Sequence, residues 1–274
     1  MLVEIFKAIF FGIVEGVTEW LPISSTGHMI LLNEFLRLDV SESFWEIFEV
    51  VIQLGAIFAV IVLFFDKLCP FGDTKSSSQK RSTLSLWSKV AVAVLPSAVL
   101  GFLLDDLLDE HFYNYITVAV MLIVYGVAFI LIDSEKNKES SCVNTEKISF
   151  AQALIVGVFQ VLALIPGTSR SGATMLGGMM LGLSRSAAAE FSFFMAIPTM
   201  AGASLLKVLK FTLDGGRFAL YELSLLVVGA GVAFIVSLVC IKYLMDYVKR
   251  HSFSAFGAYR IILGALVIAY FLLF

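Results

Sequence analysis

A chain of 274 residues that is 59% hydrophobic and only 15% charged stands far from soluble domains, where charged residues make up about 25%. With a mean hydropathy of +0.93 it reads as an all-α polytopic membrane protein, and a net charge of −3 points to no nucleic-acid partner. Cys69, Cys142 and Cys240 show no C-x-x-C spacing, and their odd number excludes a fully paired disulfide framework, so they read as free thiols.

Residues 2–21 are apolar enough to enter a bilayer. Their acids Glu4, Glu15 and Glu19 and the lack of a small-x-small cleavage site argue against a removed signal peptide. Pro22 has no N–H and restricts the residue before it, so a helix should stop there. Ser24, Ser25 and Thr26 offer N-cap side chains for a new helix over about 26–37. Neither piece is a comfortable crossing of about 20 residues, and the pair reads as a re-entrant hairpin with its polar turn inside the protein. A span at 46–65 follows, then a solvated linker of about 20 residues. Spans at 88–104 and 112–132 are joined by an acidic turn from Asp105 to Glu110, and 133–147 forms a second charged linker. The second half opens with another broken pair, 149–165 up to Pro166-Gly167 and a small-residue segment through Gly182. Spans at about 187–206, 222–245 and 254–274 complete a plan of six transmembrane helices plus two re-entrant helix pairs in a single integral membrane domain.

Shifting the chain by 145 positions puts Gly12 on Gly157, Glu15 on Gln160, Ser24 on Ser169, Thr26 on Ser171 and Gly27 on Gly172. This predicts internal repeats at about 1–132 and 149–274. With three full spans in each, the copies would run in opposite directions, an inverted-topology repeat with its site at the broken helices. Lysines and arginines gather in the loops around 67–89, 136–147 and 242–250, with Arg185. That side is predicted to be cytoplasmic, leaving the mouth of the first hairpin facing outward.

Glu15 and Glu19, at i and i+4, share a helix face. One acid at mid-bilayer costs about 2.5–3.5 kcal/mol on the insertion scale, so such a pair is a functional candidate. A divalent cation, Mg²⁺ or Ca²⁺, would neutralise both with phosphate oxygens and water as further ligands; the competing reading is a wet helix end whose acids face water. Ser24, Ser25, Thr26, Gly27 and His28 bring hydroxyls, a close-approach glycine and an imidazole to a helix N-terminus, where anions bind. Serine or histidine there would attack phosphorus or transfer protons, unless Ser24 or Ser25 merely caps and His28 packs. At the second break Arg170, between Ser169 and Ser171, matches phosphate with a bidentate fork or forms a salt bridge with Glu15 or Glu19. Glu49 with Gln53, and Glu190 near Arg185, are expected to pin the hairpin tips, and Arg260 to pair internally.

Three segments carry a resemblance: Glu-Gly-Val-Thr-Glu-Trp-Leu-Pro-Ile-Ser-Ser-Thr-Gly-His (15–28), Phe-Glu-Val-Val-Ile-Gln-Leu-Gly (48–55) and Pro-Gly-Thr-Ser-Arg-Ser-Gly-Ala-Thr (166–174). The chain resembles, over nearly its whole length, the undecaprenyl-diphosphate phosphatase or bacitracin-resistance family. The resemblance implies a bacterial cell (inner) membrane enzyme that removes the terminal phosphate of the C55 isoprenoid diphosphate, recycling carrier lipid for the cell wall. It implies an acidic pair at Glu15 and Glu19, catalytic Ser25 and His28 with Ser25 preferred as nucleophile, a phosphate-binding Arg170 and a divalent cation. Ser24, Thr26, Gly27, Ser169 and Ser171 are the expected substrate contacts. The expected partners are the polyprenyl diphosphate and membrane lipids, and a homodimer stays open. A transporter or flippase built on the same repeat is the alternative. A second lipid-phosphatase superfamily shares a Ser-Gly-His element similar to Thr26-Gly27-His28, but its Arg-Pro dipeptide is missing here.

Overall fold

The computed structural model describes residues 2–72, 75–112, 114–134, 142 and 144–273, and among these the regular structure is all helical, apart from one isolated bridge between Cys142 and Leu183. Helix α1 (Leu2–Thr18) stops earlier than 21. The ring of Pro22 would collide with the carbonyl of residue 18 in a continuing helix, and Leu21 is kept out of the α region. The chain turns through 19–23 and restarts as α2 (Ser25–Leu36) on the N-cap Ser24.

Next come α3 (Glu42–Leu63), the single turn α4 (Phe65–Leu68), α5 (Ser77–Phe112) and α6 (Tyr115–Ser134). Helix α5 departs from the sequence reading at both ends. Residues 77–87, expected in a solvated linker, are helical because Ser76 and Gln79 form a reciprocal cap: the Gln79 amide donates to Ser76 Oγ and the Ser76 amide to Gln79 Oε1. Trp87 Nε1, donating to the Leu68 carbonyl, and Lys89 Nζ, donating to that of Glu146, dock this extension. The expected acidic turn at 105–110 is the end of the same helix, and Asn114 Oδ1 caps α6 by accepting from the Thr117 amide. Of the second charged linker, 135–141 and 143 lie outside the described residues, and Thr145–Lys147 forms a 3₁₀ turn.

The second half repeats the order. Helix α7 (Phe150–Val161) starts on a Ser149–Gln152 capping box and passes through a 3₁₀ turn, Leu162–Leu164, before α8 (Arg170–Met180). Then follow α9 (Arg185–Leu213), α10 (Leu220–Arg250) and α11 (Ser254–Leu273). Helices α3, α5, α6, α9, α10 and α11 are long and apolar enough to cross a membrane, and large apolar side chains such as Phe58, Phe102, Leu205 and Val239 face outward, making this a multi-pass membrane protein.

The four remaining long elements form two pairs. The start of α1 is tied to the end of α2, with Lys7 Nζ donating to the Arg37 carbonyl at 2.7 Å and the Asp39 amide to Glu4 at 2.9 Å. The start of α7 is tied to the end of α8 by Gln152 Nε2 and the Leu181 carbonyl. Helix α1 lies against α10, and α7 against α5. At these contacts Gly12 and Gly157 allow backbone-to-backbone approach: a Cβ on Gly12 would stand 2.5 Å from the Gly229 carbonyl, and one on Gly157 would run into the carbonyl of Ala93. Gly157→Val should therefore separate α7 from α5 and abolish folded, monodisperse protein on size exclusion in detergent, whereas Gly231→Ala, with nothing within 4 Å of an added Cβ, should be tolerated.

Buried Asp133 at the end of α6 pairs with Arg185 at 2.6 Å and accepts from the Phe253 amide at the α10–α11 turn. Glu190, expected near Arg185 to pin a hairpin tip, makes other contacts. It pairs with Lys67 at 2.8 Å and accepts from Thr145 Oγ1; it joins α9 to the loops and not to either break.

Candidate active site

The two breaks share an unusual backbone. Ser24 (φ 73°) and Ser169 (φ 70°) are the non-glycine residues with positive φ among the described residues, a conformation costing roughly 1–3 kcal/mol that persists only where the surroundings dictate it. Each is an N-cap whose Oγ accepts from the amide three residues on, Gly27 at 3.2 Å and Gly172 at 3.1 Å. The hydroxyls of Ser24 and Ser169 are thus engaged in capping, and the first turns of α2 and α8 point amides into the site.

The breaks meet. Arg170 opens α8 and reaches across 151 residues of sequence: its NH2 donates to Glu19 Oε1 at 2.6 Å. Ser171 Oγ donates to the Glu19 carbonyl at 3.0 Å. On the other carboxylate oxygen, Glu19 Oε2 accepts from Ser25 Oγ at 2.6 Å. One buried carboxylate therefore joins a serine of the first break to an arginine of the second. Behind it the Arg170 guanidinium donates to the Ser192 carbonyl at 2.8 Å and lies 5.9 Å from the centre of the Trp20 ring, while its Nε has no partner.

Glu15, one turn before Glu19, is 1% exposed and neither carboxylate oxygen has a hydrogen-bond partner. It is not a wet helix end. Glu49, read from sequence as a structural pin, stands on α3, which packs against α1. No three His, Cys, Asp or Glu side chains among the described residues form a ligand cluster. An unpartnered buried carboxylate beside a second one nevertheless suits a hard cation that takes its remaining oxygens from phosphate and water; the donor set fits Mg²⁺ or Ca²⁺.

His28 is not bonded to Ser25, although both stand on the first turns of α2. Its Nδ1 lies 2.7 Å from the Ser24 carbonyl and its Nε2 2.6 Å from the Tyr259 hydroxyl. Thr26 sits half-buried between them, and Gly27 supplies the capped amide. Two residues of α11 thus enter the site unannounced by any motif. Arg260, fully buried, donates to Pro22 in the first break at 3.1 Å and to Gly167 and Thr168 in the second at 2.8 and 2.9 Å, all through carbonyl oxygens.

The family described as bacitracin resistance protein BacA matches residues 8–266. The chain belongs to the BacA family. Proteins named undecaprenyl-diphosphatase are similar to this BacA-family chain over its length: one from Enterococcus faecalis is 56% identical over 99% of both chains, one from Acetivibrio thermocellus 57% over 99% of both, and one from Lactiplantibacillus plantarum 52% over 99% of both. The BacA match encloses both breaks and α11 up to residue 266, so Glu15, Glu19, the Ser24–His28 turn, Arg170 and the Tyr259–Arg260 pair all lie within it.

Proposed function

We propose that this chain is a membrane phosphatase that hydrolyses undecaprenyl diphosphate to undecaprenyl phosphate and inorganic phosphate, recycling the lipid carrier for cell-wall synthesis. The observation that carries this reading is the Ser25–Glu19–Arg170 chain of hydrogen bonds, which sets a hydroxyl, its proton acceptor and an anion-binding fork side by side. Phosphoryl transfer needs little beyond such positioning and charge neutralisation. A membrane site suits the substrate, since lifting a C55 chain into water would expose CH₂ groups at about 0.8 kcal/mol each.

Ser25 is the nucleophile. Its hydroxyl already donates to Glu19, so the carboxylate takes the proton as Oγ attacks the terminal phosphorus and the bond to the bridging oxygen breaks, releasing undecaprenyl phosphate. Arg170 exchanges its hold on Glu19 for the phosphoryl oxygens. Water then attacks the phosphoserine, giving its proton to His28; Oγ recovers the proton from Glu19, inorganic phosphate leaves, and His28 releases its proton to solvent. Glu15 and Glu19 would hold a divalent cation, which when bound supplies charge neutralisation at the phosphate. Ser24, Thr26, Gly27, Ser169 and Ser171 shape the two helix starts around the phosphate, with Ser24 and Ser169 as their caps.

The two short pairs are re-entrant and the halves form an inverted repeat within one domain. The tie of each pair's start to its end, the matched positive-φ caps and the crossed packing of α1 on α10 and α7 on α5 support this. The end of the molecule that carries Lys67, Arg185 and Arg250 is cytoplasmic by the positive-inside rule, and the first hairpin opens to the extracytoplasmic face. Purified protein in detergent should release inorganic phosphate from undecaprenyl diphosphate, and EDTA should stop it. Absence of release would overturn the phosphatase reading, and EDTA-insensitive release the cation. Ser25→Ala should lower the rate at least about a hundredfold without changing thermal unfolding.

A further inference from the structure

Tyr259 lies on α11, 43% exposed, with its hydroxyl 2.6 Å from His28 Nε2 and its ring parallel to the imidazole within 2°. On the other side of that imidazole, Nδ1 faces the Ser24 carbonyl at 2.7 Å. A carbonyl oxygen only accepts, so Nδ1 carries the hydrogen, and in the neutral ring Nε2 keeps the lone pair. The Tyr259 O–H then donates to Nε2. Ser24 presents its carbonyl from the positive-φ cap, which also receives the His28 amide at 3.3 Å, so the acceptor is set by the same turn that starts α2.

We propose that Tyr259 is the proton relay of His28: its oxygen receives the proton that water loses while its own O–H hydrogen passes to Nε2. The proposal rests on the reading of His28 as the group that takes the proton from water. The Ser24 carbonyl fixes the tautomer through Nδ1, and Tyr259 is the group through which a proton reaches the other nitrogen. The charged groups on the helices against α2 are Glu4, Lys7 and Glu15 of α1, Asp133 of α6 and Arg260 of α11. Glu4 and Lys7 of α1 pair with each other near the end of α2. Arg260 is held by carbonyls of both breaks and stays in place when the tyrosine hydroxyl is removed.

Tyr259→Phe keeps the ring and removes the hydroxyl. With undecaprenyl diphosphate as substrate, kcat should fall about tenfold, the effect of one lost hydrogen bond on the reacting group, with KM and thermal unfolding unchanged. The near-neutral limb of the kcat/KM pH profile should move. Wild-type kcat with an unmoved profile overturns the proposal, and so does a loss of kcat with an unmoved profile, which is what mere packing gives. His28→Gln separates the two layers. If it turns over normally, the reading of His28 falls and the role of Tyr259 with it; if it is inactive while Tyr259→Phe is normal, only the role of Tyr259 falls.

Discussion

Arg170→Ala should lower kcat/KM for phosphate release by about a thousandfold or more, the range seen when a guanidinium or oxyanion donor is withdrawn from a phosphoryl or acyl transfer site. Arg170 is the cation that reaches the Ser25–Glu19 pair, at 2.6 Å from the carboxylate. Its removal takes away the phosphate clamp and also leaves Glu19, 5% exposed, without its counter-charge. Because uncompensated buried charge is destabilising by itself, thermal unfolding in detergent must accompany the kinetics. Arg170→Lys separates these effects: it restores charge near Glu19 but not the planar fork, so stability should recover while most of the rate stays lost. Recovery of rate with lysine would show that a point charge suffices.

Arg260→Met should be the most destabilising single change in the site, by about 3–5 kcal/mol, read as unfolding in detergent. The guanidinium is fully buried on α11, its hydrogen bonds run to backbone carbonyls of Pro22, Met121, Leu122, Gly167 and Thr168, and Tyr125 lies 5.6 Å beneath it. Each hydrogen bond to a charged donor is worth roughly 1.5–3 kcal/mol, and carbonyls left unsatisfied cost more. Since Pro22 belongs to one break and Gly167 and Thr168 to the other, the breaks should also lose their mutual register. Arg260→Lys, reaching fewer carbonyls, should fall between the two. Wild-type stability in Arg260→Met would mean that the breaks are held by the contacts of Arg170 and Ser171 with Glu19.

The breaks were legible because proline and the polar runs interrupt apolar sequence: Pro22, Pro166 and the Ser-Ser-Thr and Thr-Ser-Arg-Ser clusters point to them directly. The six spans were legible by run length and apolar character. Helix α5 was misjudged at its ends because Lys, Ser and Asp next to an apolar run look like loop, although Ser76 and Gln79 carry a capping pattern that marks a start. Of the contacts through which the breaks meet, the charge pair of Glu19 with Arg170 was legible, since both partners stood out in sequence as ions inside apolar segments. Tyr259 and Arg260 did not stand out as parts of the site. Arg260 is satisfied by carbonyls, which every residue has, so no complementary side chain betrays its position. Tyr259 looks like one more aromatic of a membrane helix until His28 is found beside it.

A double-mutant cycle on phosphate release most directly tests whether the two breaks form one catalytic unit. Undecaprenyl diphosphate turnover would be measured for the wild type, Glu19→Gln, Arg170→Ala and the pair together. Because Glu19 both accepts from Ser25 and holds Arg170, the double variant should lose little more than the worse single one. Losses that multiply would contradict the account, showing that the acid of the first break and the arginine of the second act independently.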